Sequence, residues 1–65
     1  MEVTVEQFAI WSFERDRQVG LYPNTKKFNK IPADERQSYM DEAKFYIESV
    51  PRDNWPEDIL ERLKK

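Results

Sequence analysis

The sequence predicts a small all-α domain of three helices. Three observations favour this fold class. The 65 residues contain a single glycine, whereas sheet-rich folds need glycine-bearing turns at short intervals. Apolar residues recur at the three- and four-residue spacing of helices. Capping residues and prolines divide the chain into three such segments. We therefore expect one domain over residues 1–65, with helices at 4–19, 32–50 and 55–64.

The first helix is expected to begin at Thr4. Thr4 and Gln7 are spaced as in a capping box, in which each side chain bonds a backbone amide of the other residue. Gly20 suits the position just after the helix, where a positive φ is common, and Pro23 follows shortly. Apolar residues occupy a wider arc than an ordinary surface helix needs. This helix is therefore either central, with neighbours on two sides, or partly turned towards a partner.

The second helix is expected to begin near Ile31, with Pro32 at its first helical position. Asp34 and Glu35 then lie in the first turn, where the helix dipole favours negative charge. Pro51 follows the end of the helix. One face carries the residues that recur at helical spacing: Arg36, Tyr39, Met40, Ala43, Tyr46, Ile47 and Val50.

The third helix is short. Asn54 is predicted to cap it, with Glu57 three residues further on, and Pro56 is tolerated in the first turn. Asp58 and Arg62 have the spacing of a helical ion pair. The predicted core draws on all three helices: Val5, Phe8, Trp11, Ser12, Tyr39, Met40, Ala43, Ile47, Val50, Ile59 and Leu63.

Residues 21–30 connect the first two helices, either as an ordered loop or with one helical turn from Thr25. Leu21, Tyr22 and Phe28 are expected to tie this segment to the core, because long unanchored loops are uncommon in compact domains. Aromatic residues make up 14% of a chain that is only 38% apolar and 37% charged. Most of them are needed to close so small a core.

The composition excludes several classes of chemistry. Without cysteine or histidine there is no disulfide, no thiolate or imidazole metal site and no Ser–His or Cys–His relay. Ser12, Ser38 and Ser49 therefore lack a base to activate them, and one glycine cannot form a phosphate-binding loop. We expect no enzymatic activity, no cofactor and no metal. No apolar run or leader pattern indicates a membrane segment, so a soluble cytoplasmic protein is expected.

Three aromatic residues are candidates for binding a protein partner. Phe45 projects among the charges of the second helix, Trp11 lies at the edge of the first helix, and Trp55 opens the third. Glu42 and Glu48 belong to residues 31–61, where nine acidic residues stand against three basic ones. Such a surface favours a basic partner; alternatively, it is the ordinary solvated surface of helices that carry acidic residues at their N-termini. In the alternative interpretation, Phe45 packs beneath the loop or the C-terminal segment, and Trp55 caps the core.

Two other functions are kept as alternatives. Lys26, Lys27 and Lys30 surround Phe28, as in a segment that tracks phosphates while a base stacks on the ring. A net charge of −2 argues against this nucleic-acid interface. The broad apolar arc of the first helix is also compatible with self-association, so the chain is expected to be a monomer or a homodimer.

The segment Ile31-Pro32-Ala33-Asp34-Glu35-Arg36, followed by Tyr39 and Ala43, resembles the arginine–tyrosine–alanine helix of HMG boxes. In that family the pattern packs the core, while DNA contact comes from a basic arm and a wedge in the first helix. Glu2 and Glu6 stand here where such an arm is basic. The resemblance therefore implies core packing and does not imply DNA bending.

The same Arg36, Tyr39 and Ala43 spacing after a short linker is similar to small helical proteins of bacteriophages and prophages. Those with assigned roles tend to bind and redirect host proteins. This resemblance implies a phage-encoded interaction protein.

Overall fold

The computed structural model describes residues 2–64, which form three α-helices and two single 3₁₀ turns and contain no strand. The predicted all-α fold with three helices is therefore confirmed. No helix in this part of the chain is long and apolar enough to cross a membrane. The elements are α1 (Val5–Gln18), a 3₁₀ turn (Phe28–Lys30), α2 (Ala33–Ser49), a second 3₁₀ turn (Arg52–Asn54) and α3 (Glu57–Leu63).

Both ends of α1 form as the sequence predicts. The Thr4 hydroxyl accepts a hydrogen bond of 3.0 Å from the Gln7 amide, which is the first half of the capping box. Gly20 has a φ of 97°. Its amide donates to Arg17, and the Leu21 amide donates to Asp16, in the 5→2 and 6→1 pattern of a Schellman motif. Glycine suits this position because a side chain there strains the backbone.

The starts of α2 and α3 differ from the predictions. Pro32 is extended, with a ψ of 148°, and precedes the first helical residue; it does not occupy the first helical position. Asn54 lies in the second 3₁₀ turn, and α3 has no side-chain cap. The reason is Pro56, because a proline disfavours helical backbone in the residue before it. Trp55 is accordingly extended, so α3 begins only at Glu57.

The central helix is α1, which packs against both α2 and α3. The Phe8 ring stacks on Tyr46 of α2 at a centroid distance of 5.3 Å and meets the edge of Trp55 at 5.1 Å. Ile59 brings α3 into the same buried cluster. The wide apolar arc of α1 is therefore explained by neighbours on two sides.

The predicted core is confirmed in part. Phe8, Trp11, Ser12, Ala43 and Ile59 are buried, and the other predicted core residues are half-buried. The predicted core leaves out four residues that are buried: Ala9, Phe13, Ile31 and Trp55. Phe13 lies on the flank of the apolar stripe of α1, and Ile31 and Trp55 lie outside the α-helices, where periodicity gives no signal. Ala9 lies on the stripe itself, and burial of Trp55 agrees with the alternative in which it caps the core.

The connection between α1 and α2 is anchored by aromatic contacts. The Phe13 ring of α1 packs on the rings of Tyr22 and Phe28, with ring centroids 5.0 and 5.7 Å apart. Phe28 reaches this position because it begins the first 3₁₀ turn. The Arg36 guanidinium donates to the carbonyl of Ile31 at 2.8 Å and holds the end of this turn. Tyr22 and Phe28 thus anchor the segment as predicted.

Leu21 does not anchor the segment, because 68% of its surface is exposed. Its amide closes the C-terminal turn of α1, and this leaves its side chain in solvent. The predicted contact of Leu21 with the core is therefore wrong.

Ion pairs join α3 to α1. Arg62 bonds Glu14 at 2.6 Å, and Asp58 lies 3.5 Å from Arg15. The predicted pair between Asp58 and Arg62 is therefore wrong, since each side chain reaches across to the neighbouring helix. These side chains are half-buried at the surface, where ion pairs contribute only about 0–1 kcal/mol each, so the apolar contacts of α3 matter more for its position.

Substitution of Trp55 tests the packing between the three helices. Its indole N–H donates to the carbonyls of Val50, at 2.9 Å, and Tyr46, at 3.1 Å. Trp55→Phe keeps a ring but leaves the Val50 carbonyl without this donor, so we expect a loss of about 1–3 kcal/mol in the free energy of unfolding. Trp55→Ala also creates a cavity and should cost about 3–5 kcal/mol, out of a total of roughly 3–10 kcal/mol for a chain of this length.

Urea unfolding followed by circular dichroism measures these losses. Leu21→Ala is the matched control, because truncation of an exposed apolar side chain should change stability by less than about 0.5 kcal/mol. A Trp55→Phe variant as stable as the wild type would contradict the role of the indole N–H.

Candidate protein-binding surface

The side of α2 that faces away from α1 carries five exposed residues in line, and we call them the outer face: Asp34, Ser38, Asp41, Phe45 and Glu48. Successive members are four or three residues apart, so they follow one stripe along the helix. The opposite side of α2 holds the buried Ala43 and the half-buried apolar residues that pack on α1. Burial of that side fixes the direction in which the outer face points.

Phe45 is exposed over 57% of its surface. Residues two apart on a helix point about 200° apart, so Phe45 lies nearly opposite Ala43. Its ring meets Tyr46 edge-on, with 5.7 Å between the ring centroids, and Tyr46 in turn stacks on Phe8. The alternative in which Phe45 packs beneath the loop or the C-terminal segment is therefore not what the structure adopts. The Phe45 ring therefore contacts Tyr46 on one side and is otherwise largely exposed to solvent.

Carboxylates surround this ring. Asp41, Glu42 and Glu48 precede or follow Phe45 by four, three and three residues, so they are its neighbours on the helix surface, and all three are exposed. Asp41 accepts a hydrogen bond of 2.8 Å from the Gln37 side chain. The two predicted acidic site residues, Glu42 and Glu48, are thus brought next to Phe45.

The acidic residues of α2 form no ion pairs within residues 2–64. The ion pairs in this part of the chain engage Glu14 and Asp16 of α1 and Asp58 and Glu61 of α3. The helix carries five acidic and two basic residues, a net charge of −3. Its negative charge is therefore not neutralised by close contacts inside the domain.

Trp11 and Trp55 do not join Phe45 at this surface. Trp11 is only 9% exposed and Trp55 only 7%. Trp55 lies against Phe8 in the core, while Trp11 lies near α3, beside Arg15 and Asp58. Both indoles are part of the packing, as the alternative interpretation of Trp55 predicts.

The lysine segment is only partly available to a ligand. Lys27 and Lys30 are exposed, whereas Lys26 is half-buried and its carbonyl accepts a bond of 2.7 Å from Arg17. Phe28 turns inwards, and its ring centroid lies 5.7 Å from that of Phe13 and 6.1 Å from that of Tyr39. Its ring is half-buried by this packing, which leaves less of it for the base stacking of the nucleic-acid alternative. Lys27 and Lys30 remain exposed for phosphate contact.

A polar cluster that the sequence analysis missed lies beside the outer face. The Tyr22 hydroxyl donates to Glu35 at 2.7 Å, and the Tyr39 hydroxyl donates to Asp16 at 2.5 Å. With Ser38 and Glu42 these residues line a shallow pocket of about 290 Å³. The paired residues are 13 and 23 positions apart in the sequence, and no motif spacing joins them.

Both tyrosines hold their protons more tightly than usual. The hydrogen bond to Glu35 raises the pKa of Tyr22, and burial, followed by the hydrogen bond to Asp16, raises the pKa of Tyr39. At neutral pH both hydroxyls are therefore donors, and they consume lone pairs of Asp16 and Glu35. This cluster ties the connecting segment and α1 to α2 at one edge of the outer face.

The serines and acidic residues show no further site. Ser12 is buried in the core and its hydroxyl has no hydrogen-bond partner within residues 2–64. Ser38 donates to the backbone carbonyl of Asp34, at 3.2 Å. Among the residues that the structure describes, no three acidic side chains are grouped so as to hold a metal ion. The outer face is thus the surface with the clearest combination of exposed ring and free charge.

No protein-family model, curated protein or solved structure matches this chain.

The tyrosine cluster gives a pH dependence with a definite sign. Because the pKa of Tyr39 is raised above its ordinary value of 10.0, the folded state keeps this proton at a pH where the unfolded chain loses it. The contribution is complete below about pH 10 and is lost as the pH rises above it. We expect the melting temperature to fall above that pH in the wild type and to fall less steeply in Tyr39→Phe. Thermal melts followed by circular dichroism across this range, with neutral pH as the reference, measure the difference, and equal slopes would contradict it.

Proposed function

We propose that this chain is a non-enzymatic interaction protein that binds a basic protein partner through the outer face of α2. The observation that carries the proposal is the exposed ring of Phe45, with around it the carboxylates of Asp41, Glu42 and Glu48, which form no ion pair within residues 2–64. The ring supplies apolar contact, and the carboxylates select the sign of the partner's charge.

The apolar part of the proposed contact comes from Phe45. Burial of a whole phenylalanine side chain is worth about 1.5–3 kcal/mol, and more than half of this ring is still exposed. The ring contacts Tyr46 on one side, and an aromatic side chain has only two χ angles to fix on binding. An aromatic residue with exposed area to bury fits the properties of an interface anchor.

The electrostatic part comes from the net charge of −3 on α2. Unpaired surface carboxylates attract basic partners at long range and speed their association, and salt screens this attraction. The same charge repels phosphates, which weakens the nucleic-acid alternative. The apolar arc of α1, on which the self-association alternative depends, is occupied by packing against α2 and α3.

Phe45→Ala tests the proposal. The variant removes the exposed ring and should change the free energy of unfolding by less than about 1 kcal/mol, because little of the core is lost. Immobilised wild-type chain should retain a basic protein from a lysate of the source cells, and the retained protein is then purified for calorimetry. We expect Phe45→Ala to raise its Kd at least tenfold, a loss of about 1.4 kcal/mol in binding free energy.

Leu21→Ala is the matched control, since Leu21 is also an exposed apolar residue and lies outside α2. It should leave the Kd unchanged. An increase in salt should weaken binding of the wild type. Binding that survives Phe45→Ala, or that is insensitive to salt, would show that the partner uses another surface.

A further inference from the structure

The acidic residues of α2 repeat with a period of seven. Asp34 and Glu35 are followed seven residues later by Asp41 and Glu42, and seven residues later again by Glu48. Seven residues are close to two helical turns and rise about 10.5 Å. The carboxylates therefore form rows along the helix, with Phe45 between the last two members of one row.

These rows define a shape as well as a charge. A partner backbone in contact with the outer face meets a carboxylate about every 10.5 Å over a length of about 21 Å. Residues on one side of an extended strand recur about every 6.7 Å, which does not match this period. An α-helix in contact along its length presents every seventh residue to the same line and matches it.

We infer that the partner segment is a basic amphipathic α-helix that lies along the outer face; this inference rests on the function proposed above. Lysine or arginine side chains seven residues apart face Asp34, Asp41 and Glu48. An apolar side chain between two of them packs on the Phe45 ring. Ser38 occupies the corresponding place one heptad earlier, where its small side chain admits a larger apolar residue of the partner.

The two flanks of the outer face differ in charge, which orients the partner. On one side the helix carries Glu35 and Glu42, and on the other Gln37 and Lys44. A partner helix with additional basic residues on one flank is therefore favoured in the orientation that places this flank over Glu35 and Glu42. Such flanking charges set orientation in paired helices generally.

Two synthetic peptides of identical composition and charge test the inference. Each has about 21 residues in an alanine-rich helical host, which spans three heptads. The register peptide carries lysines every seven residues with leucine between two of them, and the shuffled peptide distributes the same residues around the helix. Circular dichroism establishes that their helix contents are equal.

We expect the register peptide to bind the full chain at least tenfold more tightly than the shuffled peptide in calorimetric titrations. Backbone amide shifts in NMR should concentrate on α2. The double variant Asp41→Asn, Glu48→Gln should weaken the register peptide several-fold. The control Asp53→Asn, Glu57→Gln removes the same charge from exposed positions outside α2 and should have little effect.

Failure of the helical-partner inference and failure of the proposed function give different results. If both peptides bind equally and Phe45→Ala weakens both, the helical register is overturned while the basic-partner surface stands. If neither peptide shifts α2 amides, the helical partner is overturned, and the captured protein and its dependence on Phe45 decide the proposed function separately.

Discussion

Phe8 of α1 lies between Tyr46 of α2 and Trp55, the residue that leads into α3. This contact joins all three helices, and the Trp55 indole extends it by bonding the Val50 carbonyl at the end of α2. The arrangement of the other two helices depends on this contact in two ways. It sets α3 against α1, and it turns the Tyr46 side of α2 inwards, which leaves Phe45 on the outside. The geometry of the outer face therefore follows from the packing of one buried ring.

The local signals in the sequence were sufficient for the fold class and for the Schellman end of α1, because caps, glycine and periodicity act within a few residues. They were less reliable where two helices compete for a side chain. Asp58 and Arg62 have the spacing of a helical pair, yet both bond residues of α1. Arg36, Tyr39 and Ala43, which carry the resemblance to HMG boxes, all contribute to packing or to the turn before α2.

The candidate surface was predictable only in part. Phe45 could be recognised because its helical position lies among charges, and that position depends on local periodicity alone. Trp55 could not be assigned, since a residue between two helices belongs to no helical face, and its burial depends on how α3 returns to α1. The bonds of Tyr22 with Glu35 and Tyr39 with Asp16 join distant positions. Contacts of this kind arise from the tertiary arrangement, which no spacing in the sequence encodes.

Phe45 contributes little to the stability of the domain, and this is the strongest reason to look for a role in contact with another molecule. Eight of the nine aromatic residues are buried or half-buried, and Phe45 is the exception. Phenylalanine is a poorer helix former than glutamate, lysine or alanine, so a charged residue at this exposed position would favour α2. It would also remove an apolar surface from water. Because neither the core nor the helix gains much from the ring, its value is best sought in contact with another molecule, and the carboxylates beside it are the reason for proposing a partner of positive charge.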